Sequence, residues 1–178
     1  STGGTEALAR VLPAFPGDTP GTVVVQHMPK AFTSAFAQRL NGLCRMRVKE
    51  AENGDRIIRG TVLVAPGDYH MEVVRQGAAY YVKLNQQPQV NGFRPSVDVL
   101  FHSFANQLGR HACAAILTGM GRDGAVGMAA MRSVGSYTVA QDEESCVVFG
   151  MPKEAIAAGG AVRVVPLERI AGELIAAV

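Results

Sequence analysis

Residues 112–124 constrain the fold more than any other part of the chain. The apolar half, Ala112-Cys113-Ala114-Ala115-Ile116-Leu117, is short and unbroken, so it reads as a parallel strand covered on both faces. It breaks into Thr118-Gly119-Met120-Gly121-Arg122-Asp123-Gly124, and the small residues Ala125, Ala129 and Ala130 then suit a closely packed helix. Open parallel sheets place their ligand sites at the carboxyl ends of strands. Asp123 therefore falls where chemistry is expected, beside glycines whose bare backbone N–H groups allow a substrate to approach.

The rest of the chain repeats that alternation. Ala7, Leu8, Val11 and Leu12 mark a helical face that Pro13 and Pro16 stop. A β-branched strand follows at 22–25, with Gln26 and His27 at its exit. Phe32, Phe36, Leu40 and Leu43 repeat at helical spacing, and strands are predicted at 46–49 and 61–65. After Pro66-Gly67-Asp68 the pattern changes to alternation. Met71 and Val73, then Tyr80, Val82 and Leu84, predict an antiparallel hairpin turning at 75–78. Residues 85–95 read as a polar loop. Val97, Leu100, Phe101, Phe104, Ala105 and Leu108 form the cleanest helical stripe, with His102 off it and exposed. Strands at 137–140 and 162–165, and helices opened by Pro152 and Pro166, complete the pattern, while 141–151 is too irregular to assign. The prediction is a doubly wound α/β fold: a mostly parallel sheet, helices on both faces, and an appended antiparallel hairpin.

Composition narrows the function. The 178 residues suit a single domain over 1–178, and a net charge of +2 with scattered Lys and Arg gives no stripe that tracks a phosphate backbone, so nucleic acid is not expected. Cys44, Cys113 and Cys146 lack metal-ligand spacing, as do the four histidines, so no metal is expected and a reduced, cytoplasmic setting is the simplest reading. No apolar run approaches the ~20 residues that span a bilayer, and no membrane insertion is expected.

Ser1 before a helix, His27 at a strand exit and Asp123 in the central loop supply the three residue types of a nucleophilic triad. A serine hydroxyl needs an imidazole to take its proton, and the imidazole needs a carboxylate to fix its tautomer. Backbone amides at the start of the first helix, or in the loop 119–121, offer oxyanion donors. Blander readings exist: Ser1 and Asp123 as caps of the helices that follow them, and His27 as a satisfied strand-end histidine. A sharper rival is dinucleotide binding, since residues 119–124 fit G-x-G-x-x-G with Asp142 following at the distance of a ribose-binding acid. Against it, Asp123 places a negative charge in the loop meant for a pyrophosphate, so no cofactor is expected.

Six blocks carry a further signal. Ser1-Thr2-Gly3-Gly4-Thr5-Glu6-Ala7, Gln26-His27-Met28-Pro29, Ala65-Pro66-Gly67-Asp68, Arg94-Pro95-Ser96-Val97-Asp98-Val99-Leu100-Phe101, Leu117 through Gly124, and Phe149-Gly150-Met151-Pro152 closely resemble the catalytic domain of the bacterial chemotaxis-receptor methylesterases, the CheB family. The resemblance implies a serine hydrolase with Ser1 as nucleophile, His27 as general base and Asp123 as its orienting acid. It places the Met120 N–H as an oxyanion donor, with Thr2 lining the site. The implied reaction is hydrolysis of glutamyl methyl esters on the cytoplasmic helical bundle of methyl-accepting chemoreceptors, with deamidation of receptor glutamines as a second activity. Family members also place an apolar strand immediately before the serine and a receiver domain before that, and neither is in this sequence. Were Ser1 itself a terminus, its α-amino group would be an alternative base, as in N-terminal-nucleophile hydrolases, but His27 and Asp123 would then have no role.

Overall fold

A computed structural model describes residues 2–178, so the predicted nucleophile, Ser1, lies outside the described residues. Strand β1 (Thr22–Val24) pairs in parallel with β3 (Thr61–Val64), which pairs in parallel with β2 (Arg47–Glu50). A second parallel group has β6 (Cys113–Ile116), β7 (Tyr137–Gln141) and β8 (Arg163–Val165) in that order. The predicted hairpin is β4 (His70–Gln76) and β5 (Ala79–Asn85), joined by a two-residue turn whose Gly77 has φ +64°, the left-handed region that favours glycine.

Period-two alternation sends successive side chains of each parallel strand to opposite layers. Val62 and Val64 of β3 join Val11, Phe36, Leu40 and Ile170, contributed by α1 (Gly4–Val11), α2 (Lys30–Leu43) and α6 (Leu167–Ala176). Leu63 faces the other way, onto Met71 and Val82 of the hairpin and Leu100 of α3 (Val97–Gln107). In β7, Val139 belongs to the first layer, whereas Ala140 packs with Phe101, Met128 and Ala155 of α3, α4 (Ala125–Ser133) and α5 (Met151–Ala157). The expected helices on both faces of a mostly parallel sheet, with an antiparallel appendage, are therefore present.

One expectation fails. The apolar run 112–117 was to be covered on both faces, yet Cys113, Ala114 and Ala115 are only half-buried. The reason is topological: β6 is an edge of its hydrogen-bonded group, as β1 is of the other. A cavity of about 390 Å³ separates them, lined among others by Val23, Val25, Ala114 and Ile116.

Candidate active site

His27 lies just beyond the carboxyl end of β1, and Asp123 lies in the loop leaving β6. These two strands flank the cavity, so their exit loops meet across its mouth. His27 Nε2 and Asp123 Oδ2 are 2.6 Å apart although 96 residues separate them in the chain. Both side chains are buried, Asp123 completely.

A buried carboxylate needs partners for its lone pairs, and Asp123 has five. Oδ2 accepts from His27 and from the Val97 backbone N–H at 2.7 Å. Oδ1 accepts from the Asn91 amide at 2.9 Å, the Ser96 hydroxyl at 2.7 Å and the Asp98 backbone N–H at 3.2 Å. Burial alone pushes the Asp123 pKa up, but hydrogen bonds from His27, Asn91, Ser96 and Val97 outweigh it and hold the group at about 2. Asp123 is thus ionised at neutral pH.

The cap reading of Asp123 is corrected by this geometry. Gly124 is the N-cap of α4 and no side chain caps that helix. Asp123 instead reaches across to the first N–H groups of α3, where the helix dipole favours negative charge. Asn91, with φ +55°, holds this arrangement together, since its amide nitrogen also donates to Asp98 Oδ2 at 2.7 Å. Asp98 Oδ1 in turn accepts the Gly127 N–H of α4 at 2.7 Å.

Because an ionised carboxylate only accepts, Nε2 of His27 carries the proton and Nδ1 is the basic nitrogen. Trypsin-like triads orient the ring the other way, with Nδ1 toward the acid. The Phe93 ring stacks on His27 at a centroid distance of 3.7 Å and an interplanar angle of 4°, which fixes the imidazole plane.

The glycine loop after β6 is locked from below. Buried Gln141, the last residue of β7, accepts the Thr118 N–H at 2.8 Å and donates to the Ser145 carbonyl at 2.9 Å. The Thr118 hydroxyl lies 3.2 Å from both the Thr2 and Val148 carbonyl oxygens, while accepting the Val148 N–H at 3.0 Å. Gly119 and Phe149 bridge in parallel, and the Met151 N–H reaches the Gly119 carbonyl at 2.8 Å. Thr2 and the loop that carries Met120 are thereby brought together, and the Met120 side chain is exposed. Gly3 is hemmed in by Val147, only 2.8 Å from where a Cβ would sit. Residues 141–151, unassigned from sequence, form the strap that holds both.

Of the predicted site residues, His27 and Asp123 meet, Thr2 and Met120 share one loop system, and Ser1 is outside the description. Asn91, Phe93 and Ser96 were missed. Asn91 and Phe93 fall in the segment read as a polar loop, where the signal was an amide and an aromatic flanking Gly92, and Ser96 stood in a block of the family resemblance with no site role given to it. The dinucleotide reading loses its physical basis, because an ionised Asp123 lies within the loop that would receive a pyrophosphate. Asp142 is engaged locally, accepting from the Ser145 N–H and hydroxyl. Among the described residues, no three His, Cys, Asp or Glu side chains cluster as metal ligands would, and no helix is long and apolar enough to cross a membrane.

Comparison with known proteins shows the family of the chain. The chain matches the CheB methylesterase family over residues 1–174. It is 59% identical over 175 residues to a protein-glutamate methylesterase/protein-glutamine glutaminase of Pseudomonas aeruginosa, covering 98% of this chain and 50% of that protein. It is 62% identical over 167 residues to one of Geobacter metallireducens, covering 94% and 46%. The chain thus spans about half the length of the curated relatives it matches. Its fold superposes on the crystal structure of the Thermotoga maritima CheB methylesterase catalytic domain with a TM-score of 0.96 at 40% identity, covering 99% of this chain and 94% of that one. A match to the family over residues 1–174, with a fold this close to that domain, makes the chain a member of the CheB methylesterase family.

Proposed function

We propose that this chain is the catalytic domain of a protein-glutamate methylesterase that also deamidates glutamine. The observation that carries the proposal is the buried His27–Asp123 pair at 2.6 Å, with Thr2 held beside the glycine loop. In this reading the Ser1 hydroxyl attacks the carbonyl carbon of a glutamyl methyl ester as Nδ1 of His27 takes its proton. The Met120 N–H and the first amides of α1 receive the oxyanion. On collapse the imidazolium returns its proton to the departing methoxide, and methanol leaves. Water then attacks the acyl-enzyme, His27 removes its proton, and the released Ser1 oxygen recovers one. With a glutamine side chain the same sequence expels ammonia. Asp123 remains ionised throughout, holding Nε2–H and stabilising the imidazolium. The proposed substrate is the helical bundle of chemoreceptors in the cytoplasm.

The same reading gives the cavity an occupant, one further parallel strand from the segment that precedes Ser1 in family members. Two features support it. The walls are the apolar edges of β1 and β6, and the rim carries Gln26, whose buried Nε2 has no hydrogen-bond partner among the described residues. A buried donor left unpaired costs about 1–3 kcal/mol, and a strand would bring carbonyl groups to that wall. A receiver domain is the further proposed partner.

The decisive experiment is release of methanol from methyl-labelled receptor membranes, with Ser1→Ala as comparison. Methanol release should vanish in the variant while its circular dichroism is unchanged. Retained hydrolysis in a folded Ser1→Ala protein overturns the mechanism.

A further inference from the structure

His70 opens β4 and is 1% exposed, yet it has no part in the chemistry described above. Both of its nitrogens are used. Nε2 lies 2.9 Å from the Pro88 carbonyl oxygen, and Nδ1 lies 3.2 Å from the Ser96 backbone nitrogen. A carbonyl only accepts and a backbone N–H only donates, so the ring is neutral, with its proton on Nε2 and its lone pair on Nδ1. The two partners bracket the segment that holds the catalytic carboxylate. Asn91 and Phe93 lie between them, and Val97 and Asp98 follow the second. Among the described residues, every hydrogen bond to Asp123 other than that of His27 comes from residues 91–98.

We propose that His70 is a positioning residue for the His27–Asp123 pair, its Nδ1 lone pair holding the Ser96 N–H at the start of α3. Without that acceptor the buried Ser96 N–H is left unpaired and the start of α3 leaves its place. Asp123 then loses the alignment of the Ser96 hydroxyl and of the Val97 and Asp98 amides together. The charged groups around His70 set the context. Arg94 donates to the carbonyls of Gln86 and Gln87, next to Pro88, and pairs with Asp68 at 2.6 Å. Asn85, the cross-strand neighbour of His70, donates to Glu72. Asp98 and Asp123 lie beyond Ser96. None of these is bonded to the His70 ring itself, so the ring's fit depends on Pro88 and Ser96.

The inference rests on the proposed hydrolase reading for its kinetic test, so a readout independent of activity is paired with it. In His70→Asn, the amide oxygen can take the Nδ1 place and accept the Ser96 N–H. His70→Phe removes the acceptor. His70→Asn should retain most of the wild-type kcat, whereas His70→Phe should lose kcat about tenfold or more with little change in KM. Independently of activity, the proton NMR resonance of His27 Nε2–H at neutral pH should keep its wild-type position in His70→Asn and shift or broaden in His70→Phe. A His27 resonance unmoved in His70→Phe overturns the proposal, as does a wild-type kcat in that variant. Should His70→Phe fail to fold, His70→Gln, whose longer side chain cannot set its oxygen at the Nδ1 place, stands in for it in both comparisons. An absence of hydrolysis in every form, with the NMR difference intact, counts against the hydrolase reading and not against His70.

Discussion

Asp123 does two jobs, orienting His27 and satisfying the start of α3, and each is measurable. Asp123→Asn keeps the shape but allows the amide to donate where Nε2–H should, which favours the wrong imidazole tautomer. In trypsin the equivalent change lowers kcat about 10⁴-fold, and a loss of that order in methanol release is expected here. The carboxylate also contributes stability. Its folded pKa of about 2 lies below the ~3.9 of an unfolded aspartate, so the contribution is full above pH ~4. It fades as pH falls toward 2, and amounts to about 2–3 kcal/mol. Urea midpoints measured from pH 6 to pH 2 should fall more steeply for wild type than for Asp123→Asn. Phe93→Ala should leave the His27–Asp123 bond in place while freeing the ring plane, lowering kcat more than KM. Sequence placed Asp123 and His27 at strand exits, and the family resemblance, more than the residue types alone, paired them there. It did not show Phe93 or Asn91, since a loop's polarity says nothing about which side chains fold back over a neighbouring strand end.

The helix α3 is where fold and site join. Its stripe of Val97, Leu100, Phe101, Phe104, Ala105 and Leu108 was plain in the periodicity and is buried except at Phe104 and Leu108, which are half-buried where they line the cavity. Asp98 and Ser103, between those positions, are buried as well, and no apolar period could reveal that. The reason lies in the neighbour. Gly127 lets α4 approach so closely that an added Cβ would fall 2.7 Å from Phe101 Cβ and 3.0 Å from Asp98 Oδ1. Gly127→Ala should therefore push α4 from α3, lower stability by about 1–3 kcal/mol, and reduce hydrolysis through the displaced Asp98. A thermal melt beside an activity assay distinguishes this from a loss of activity alone. The strap 141–151 illustrates the opposite limit. It has no period and no repeated hydrogen-bond pattern, so only the partners of Gln141 and Thr118 disclose its purpose.

The two parallel groups are joined by packing and by loops, with the cavity between β1 and β6. Extending the chain with an apolar strand ahead of Ser1 should raise the melting temperature. It should also slow hydrogen exchange at the backbone amides of β1 and β6, whose edges face the cavity. Unchanged exchange at both edges would show that the added segment lies elsewhere. Topology of this kind was beyond the sequence, because an apolar strand has the same composition whether it is central or an edge. The 96-residue separation of His27 and Asp123 has a kinetic consequence. Long-range contacts form late, after the loop-closure entropy of the intervening chain has been overcome. On dilution from denaturant, helical ellipticity should return while the protein is still inert, and turnover should reappear only in a slower phase, once residues 91–98 have closed over the loop that carries Asp123.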